Sequence, residues 1–92
     1  MSRFIMFGTY SVEAIDDISS DRTEMAIGVI KKLGGKVVAM YALLGEPDLI
    51  IIIDMPSPEA AMKASVELSK ATGIGFSTSQ AVSVEGFDIL FS

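Results

Sequence analysis

Two tyrosines and two carboxylates at a turn are the residues of this sequence best suited to chemistry: Tyr10, Tyr41, Glu46 and Asp48. A tyrosine beside a carboxylate in an apolar cleft can move protons, because desolvation raises the carboxyl pKa towards working pH. Each also has a plainer role. Asp48 directly follows Gly45-Glu46-Pro47, where an acceptor side chain commonly satisfies turn amides. Tyr10 can pack on the start of a helix. Tyr41 can line a ligand cavity or sit at an interface, its hydroxyl needing a partner wherever it is buried.

The rest of the usual catalytic repertoire is missing, since the chain has no histidine, no cysteine and no tryptophan. Disulfide frameworks, Cys/His zinc sites, cysteine nucleophiles, His-ligated haem and histidine-based triads are excluded together. No metal or cofactor is expected. Six methionines at no single spacing read as core filler rather than a metal site. Gly73-Ile74-Gly75 has the glycines of an anion cradle, but phosphate loops lead into helices. This one follows a helix and enters a strand, so it reads as a helix stop.

These residues are positioned by a short series of elements. Arg3–Thr9, aromatic-rich and bounded by polar residues, reads as a first strand. Ser11 can cap a short helical turn. Ser20 or Asp21 can cap a longer helix whose Met25, Ala26, Val29, Ile30 and Leu33 repeat at the spacing of one buried face. Lys31 and Lys32 suit its last turn and Gly34-Gly35 its stop. Lys36–Leu44 and Leu49–Asp54 are the second and third strands, joined at Gly45-Glu46-Pro47-Asp48. Ser57, Pro58 and Glu59 form a helix start. That helix runs to about Thr72, with a small-residue stripe of Ala61, Ala64, Leu68 and Ala71. Ile74–Val84 reads as the fourth strand, and Glu85–Ser92 places Phe87, Leu90 and Phe91 on one face of a last helical turn or two.

The order βαββαβ with right-handed crossovers predicts one α+β domain over residues 1–92. It is a ferredoxin-like sandwich with both helices on one face of an antiparallel sheet ordered 4-1-3-2. The first strand then ends where the third begins, which brings Tyr10, Glu46, Asp48 and Phe76 to one rim. With Tyr41, these are the candidate ligand-binding residues. At the opposite rim, Lys36 and Asp54 are expected to form a modest ion pair.

Hydrophobicity supplies the main clue to assembly. Half of the chain is hydrophobic and 21% is charged, so it folds rather than staying disordered. Mean hydropathy is high, at +0.51. A spanning helix needs about 20 consecutive apolar residues, whereas the longest apolar stretches, Val37–Leu44 and Leu49–Ile53, are split by Gly45–Asp48. A faint likeness to a signal peptide at Arg3–Ala14 would cost the domain its first strand if cleaved, so a cytoplasmic protein without a membrane span is expected. Net charge is −5, which argues against nucleic acid. The excess must be buried by folding and assembly. An antiparallel sheet with a wet face alternates apolar and polar residues, but Phe4-Ile5-Met6-Phe7 and Leu49–Ile53 do not. Helices cover only one face, and the other exceeds the roughly 300–600 Å² patch a monomer tolerates. A second copy of the same sheet is the simplest cover, giving a homodimer or higher homo-oligomer of the dimeric α+β barrel type. The four isoleucines from 50 to 53 divide between the two faces, and the sequence leaves open which pair takes which.

Nearly the whole chain resembles the GYD domain family, small proteins of the dimeric α+β barrel group. The likeness lies in Phe4-Ile-Met-Phe-Gly-Thr-Tyr-Ser, Lys32-Leu-Gly-Gly-Lys-Val, Met40-Tyr-Ala-Leu-Leu-Gly-Glu-Pro-Asp-Leu and Ala81-Val-Ser-Val-Glu-Gly-Phe-Asp. Of the Gly-Tyr-Asp signature at the hairpin, Gly45 and Asp48 match and Pro47 stands at the tyrosine position, so no role of that tyrosine carries over. The resemblance implies a fold and a dimer and leaves function open. Two classes of function are expected: a small-ligand-binding or regulatory module without catalysis, or a cofactor-free isomerase or oxygenase acting on a small apolar or aromatic molecule. A purely structural oligomer is the third possibility. An enzyme of this kind needs a cavity holding a buried Tyr or Asp, and a structural oligomer needs none.

Overall fold

In the computed structural model, which describes residues 1–92, the chain runs β1 (Ser2–Tyr10), α1 (Val12–Asp16), α2 (Ser20–Lys32), β2 (Lys36–Ala42), β3 (Leu49–Met55), α3 (Pro58–Thr72), β4 (Ile74–Ala81) and α4 (Val84–Ile89). The four strands form one sheet ordered β2-β3-β1-β4, and every neighbouring pair is antiparallel. This is the ferredoxin-like α+β topology that the strand order predicts.

The helices form where local chemistry allows them. Ser57 lies in extended conformation, accepts from the Ala60 N–H, and is followed by Pro58 in the first turn. A serine cap with proline just inside supplies an acceptor for one orphan amide and a pre-set φ. Gly73 ends α3 at φ 74°, a conformation that costs glycine little. Ser19, rather than Ser20 or Asp21, caps α2, because its hydroxyl reaches the Arg22 N–H. Two strands are shorter than expected because their partners run out. β4 stops at Ala81, paired with Arg3 at the start of β1. β2 stops at Ala42, paired with Leu49 at the start of β3. The β2–β3 register also shifts between Val37 and Ala39, so Val38 is an extra residue in the edge strand.

Phe4, Met6, Ile51, Ile53 and Met55 of the central strands pack against Ala26 and Ile30 of α2 and Ala61, Ala64 and Leu68 of α3. No polar or charged residue is buried. The three α3 residues recur every three or four positions, so one narrow stripe faces the sheet, and its alanines let the helix lie close. Leu68 is fully buried, which is worth about 1.5–3 kcal/mol relative to exposure.

The isoleucine run now has an orientation. Ile51 and Ile53 are 1% and 0% exposed beneath the helices, so Ile50 and Ile52 lie on the opposite face. Cross-strand pairing sets Ile52 beside Ile5 and Ile50 beside Phe7. β2 adds Ala39 beside Ile52 and Tyr41 beside Ile50. The uncovered face is therefore apolar over three strands. On β4 it turns polar, with Ser77 and Ser79 beside Phe7 and Ile5. No helix of the chain is long and apolar enough to cross a membrane. Beyond β4, α4 buries none of its own residues.

Candidate functional site

The rim where β1 ends is held together by one carboxylate. Asp48 Oδ2 accepts from the Tyr10 N–H at 2.8 Å. The Asp48 N–H donates to the Gly8 carbonyl at 2.9 Å, and the Asp48 carbonyl accepts from the Leu43 N–H at 2.8 Å. Asp48 thus ties the β2–β3 connection to the end of β1. Next to it, Ser11 caps α1 by accepting from the Ala14 N–H at 3.0 Å. An ionised acceptor is worth more than a neutral one by about 1 kcal/mol. Asp48→Asn is therefore expected to lower the melting temperature by about 4–8 °C, the shift that size of change makes in a domain of this length, without loss of secondary structure. Thermal unfolding followed by circular dichroism measures it, and an unchanged melting temperature would remove the clamp role.

Behind this rim lies a partly open cavity between α2, α3 and the sheet. Tyr10 and Phe76 line it together with Ala26, Ile51, Leu68 and Ile74, among others. Its volume is about 50 Å³, room for a few water-sized atoms, since one water needs about 10–15 Å³. Phe76 reaches this position by lying across Gly8, its partner on β1. A Cβ at Gly8 would stand 3.0 Å from the Phe76 ring and 3.1 Å from Ile74, so the glycine is what lets the aromatic pack there.

Arg22, which sequence reasoning passed over, also lines the cavity. Its guanidinium carbon lies 5.3 Å from the centroid of the Tyr10 ring, within reach of a cation–π attraction, and it donates to the Ala14 carbonyl. A signal was present in the sequence. A cation in the first turn of a helix opposes the macrodipole, and a residue placed there against that preference has some other partner.

Of the five candidate residues, the structure brings Tyr10 and Phe76 into the cavity and puts Asp48 on the backbone beside it. Glu46 is exposed on the hairpin. Tyr41, 57% exposed, sits on the uncovered sheet face, away from the cavity. No carboxylate lines the cavity. Nowhere does a group of three acidic side chains converge as metal ligands would.

At the far rim the ion pair differs from the expected one. Asp54 lies beside Lys36 in the ladder, but its carboxylate is taken by Arg3, with Nε and Nη2 donating at 2.9 and 3.1 Å. A planar guanidinium holds two parallel N–H donors at the spacing of the two carboxylate oxygens, whereas an ammonium is a point charge on a flexible stem. These hydrogen bonds hold the Asp54 carboxyl below its ordinary pKa, and Lys36 adds a smaller pull through its charge. A second hollow, open and of about 410 Å³, runs between α3 and β4 over Phe4, Met62 and Val66. There the Thr78 hydroxyl donates to Ser65 Oγ at 3.2 Å.

A four-stranded antiparallel sheet with α2 and α3 on one side, a small cavity between them and the other face bare defines a ferredoxin-like α+β domain. The leucine response regulatory protein LrpA of Mycobacterium tuberculosis has a similar fold, with a TM-score of 0.59 and 10% identity over 90% of this chain and 51% of that one. The chain thus spans about half the length of LrpA. An amidase of the hydantoinase/carbamoylase family from Burkholderia multivorans is similar at a TM-score of 0.44 and 8% identity, over 87% of this chain and 26% of that one. No curated protein matches the sequence. The GYD domain pattern matches residues 4–90. The chain belongs to the GYD domain family.

Proposed function

We propose that this protein is a homodimeric binding module that takes up a small apolar ligand at the Tyr10–Phe76 rim and does not transform it. The observation that carries this reading is the polar inventory of the cavity. Its polar side chains are Tyr10, Arg22, Thr23 and Thr72, and none of them is paired with a carboxylate there. Arg22 is occupied by the Tyr10 ring and the Ala14 carbonyl. The nearby Asp48 is held by a backbone amide. A cofactor-free isomerase or oxygenase needs a base at the substrate, and the one phenol of the cavity, Tyr10, has no carboxylate beside it among the lining residues. Ligand pockets usually measure about 300–1,000 Å³, so uptake requires the elements around the cavity to move apart. The fold is one that a leucine response regulatory protein also has. A regulatory role suits a module that responds to a ligand by such a movement.

The dimer part of this reading rests on the uncovered face. Ile5, Phe7, Ile50, Ile52, Ala39 and Tyr41 form one apolar surface, and a second copy presents the same surface to it about a two-fold axis.

Titration with indole and with short aliphatic alcohols, followed by amide chemical shifts, tests the binding site. Saturable shifts at Tyr10, Ala26 and Phe76 are expected, and Ala26→Val, which fills the cavity, is expected to abolish them. Conversion of either probe to product, or shifts centred elsewhere, would overturn the reading.

A further inference from the structure

We propose that the segment after β4, Val82–Ser92, packs on a second copy of this chain and forms part of the interface between copies. The inference rests on the dimer reading above and names a surface that reading does not include.

The segment is apolar and has no place on its own body. Val82, Val84, Phe87, Ile89, Leu90 and Phe91 are all more than half exposed. None of them joins the core cluster or packs against it. The molecule is 48 Å long, although a nine-residue strand spans only about 30 Å. Its radius of gyration is 13.7 Å, against about 12.3 Å for a compact chain of this length. β4 delivers the segment beside Arg3, at the charged end of the sheet. The nearest surface of its own chain is thus a hydrated ion pair and not an apolar seat.

Its shape is nevertheless ordered for contact. Ser83 caps α4, accepting from the Gly86 N–H at 3.0 Å. The Phe87 and Phe91 rings stand 5.1 Å apart, one turn from each other. A helix this short is unstable alone in water, so packing against another surface has to maintain it. Phe87, Leu90 and Phe91, at i, i+3 and i+4, make one continuous apolar side.

The place where the segment leaves the sheet identifies the occupant as a second copy. Ala81 lies opposite Arg3, on the same face as Ile5 and Phe7 by strand alternation, so the segment starts at the border of the surface that the dimer reading sets against the partner. The β4 part of that face is serine, and Phe87 and Phe91 add apolar area towards the roughly 800 Å² that a stable interface buries on each partner. In a symmetric pair each copy gives its segment once and receives the other's once.

Sedimentation of the full chain, of a variant ending at Ala81 and of Phe87→Asp/Phe91→Asp tests this, with circular dichroism as the check that the sheet is intact. A dimer is expected for the full chain. Both variants should stay folded while their dimer dissociation constant rises by about a hundredfold or more, as loss of buried aromatic anchors does. In parallel, p-benzoyl-phenylalanine in place of Phe91 should give a light-dependent covalent dimer. Mass spectrometry of mixed isotope-labelled and unlabelled chains should find that segment joined to the body of the other copy. A dimer undiminished in both variants, or crosslinks found only within one chain, would overturn this inference and leave the sheet dimer standing. A full chain that is monomeric at micromolar concentration would overturn the dimer reading, and this one with it.

Discussion

Ile53→Lys is expected to unfold the chain, whereas Ile52→Lys, one residue earlier, should leave it folded and monomeric. The contrast follows from the two faces of β3. Ile53 is fully buried among Phe4, Met6 and the α3 stripe. A lysine there must either carry an unpaired charge into a core without polar partners or give up its proton, at a cost of several kcal/mol in either case. A small domain has only about 5–15 kcal/mol of stability in total. Ile52 faces the uncovered side, paired with Ile5 and Ala39, where a lysine reaches water in the isolated chain. In the proposed dimer, that lysine would be buried against the partner's sheet, and its charge would have to leave water. Circular dichroism and sedimentation on the same samples separate the outcomes. An Ile52→Lys protein that sediments as the parent does would show that this face is not the interface.

Gly35→Ala is expected to be the most damaging single-methyl change in the molecule, costing about 3 kcal/mol, at the upper end for overpacking. A Cβ at this position would lie 2.1 Å from Met55 Sδ and 2.7 Å from the Asp54 carbonyl oxygen. Met55 is fully buried, and the carbonyl, which belongs to the backbone of a central strand, is the obstacle that a side-chain movement does not relieve. The turn from α2 into β2 can therefore pass β3 only without a side chain. Gly28 is the internal control, because a Cβ there meets nothing within 4 Å. Gly28→Ala in the middle of α2 should instead stabilise the protein slightly, by about 0.5–1 kcal/mol. Urea unfolding of the two variants side by side measures both. A Gly35→Ala variant within 1 kcal/mol of the parent would contradict the close approach.

The fold was legible because its signals are local. Ser57-Pro58 begins a helix and Gly73 ends it wherever the chain lies, and the order of elements leaves few topologies. The rim was legible in outline for a similar reason: antiparallel neighbours must bring the end of β1 to the start of β3. What a side chain does at that rim was not legible. Asp48 and Glu46 are equivalent in composition, yet one is fixed by three backbone hydrogen bonds and the other is exposed. The sequence leaves Tyr41 open between a cavity and an interface, since a period of two gives alternation but not its phase. The isoleucine run hid its phase more completely, because four identical residues carry no alternation at all. Arg3 and Lys36 both neighbour Asp54, and the difference between a guanidinium fork and an ammonium decided the pair.

The register shift at Val38 also bears on how copies of the chain avoid one another. Each outer strand of a sheet is a template on which another chain can add, and an extra residue that twists the strand spoils the template. β2 carries such a residue between Val37 and Ala39, with Lys36 beside it. β4 pairs with β1 without interruption from Arg3↔Ala81 to Tyr10↔Ile74, and Ile74–Ala81 contains neither charge nor proline. The two borders of the sheet are therefore unequal, one closed to strand addition by a bulge and a lysine, the other regular and uncharged. Any growth of the sheet beyond four strands has a single direction open to it, outward from β4.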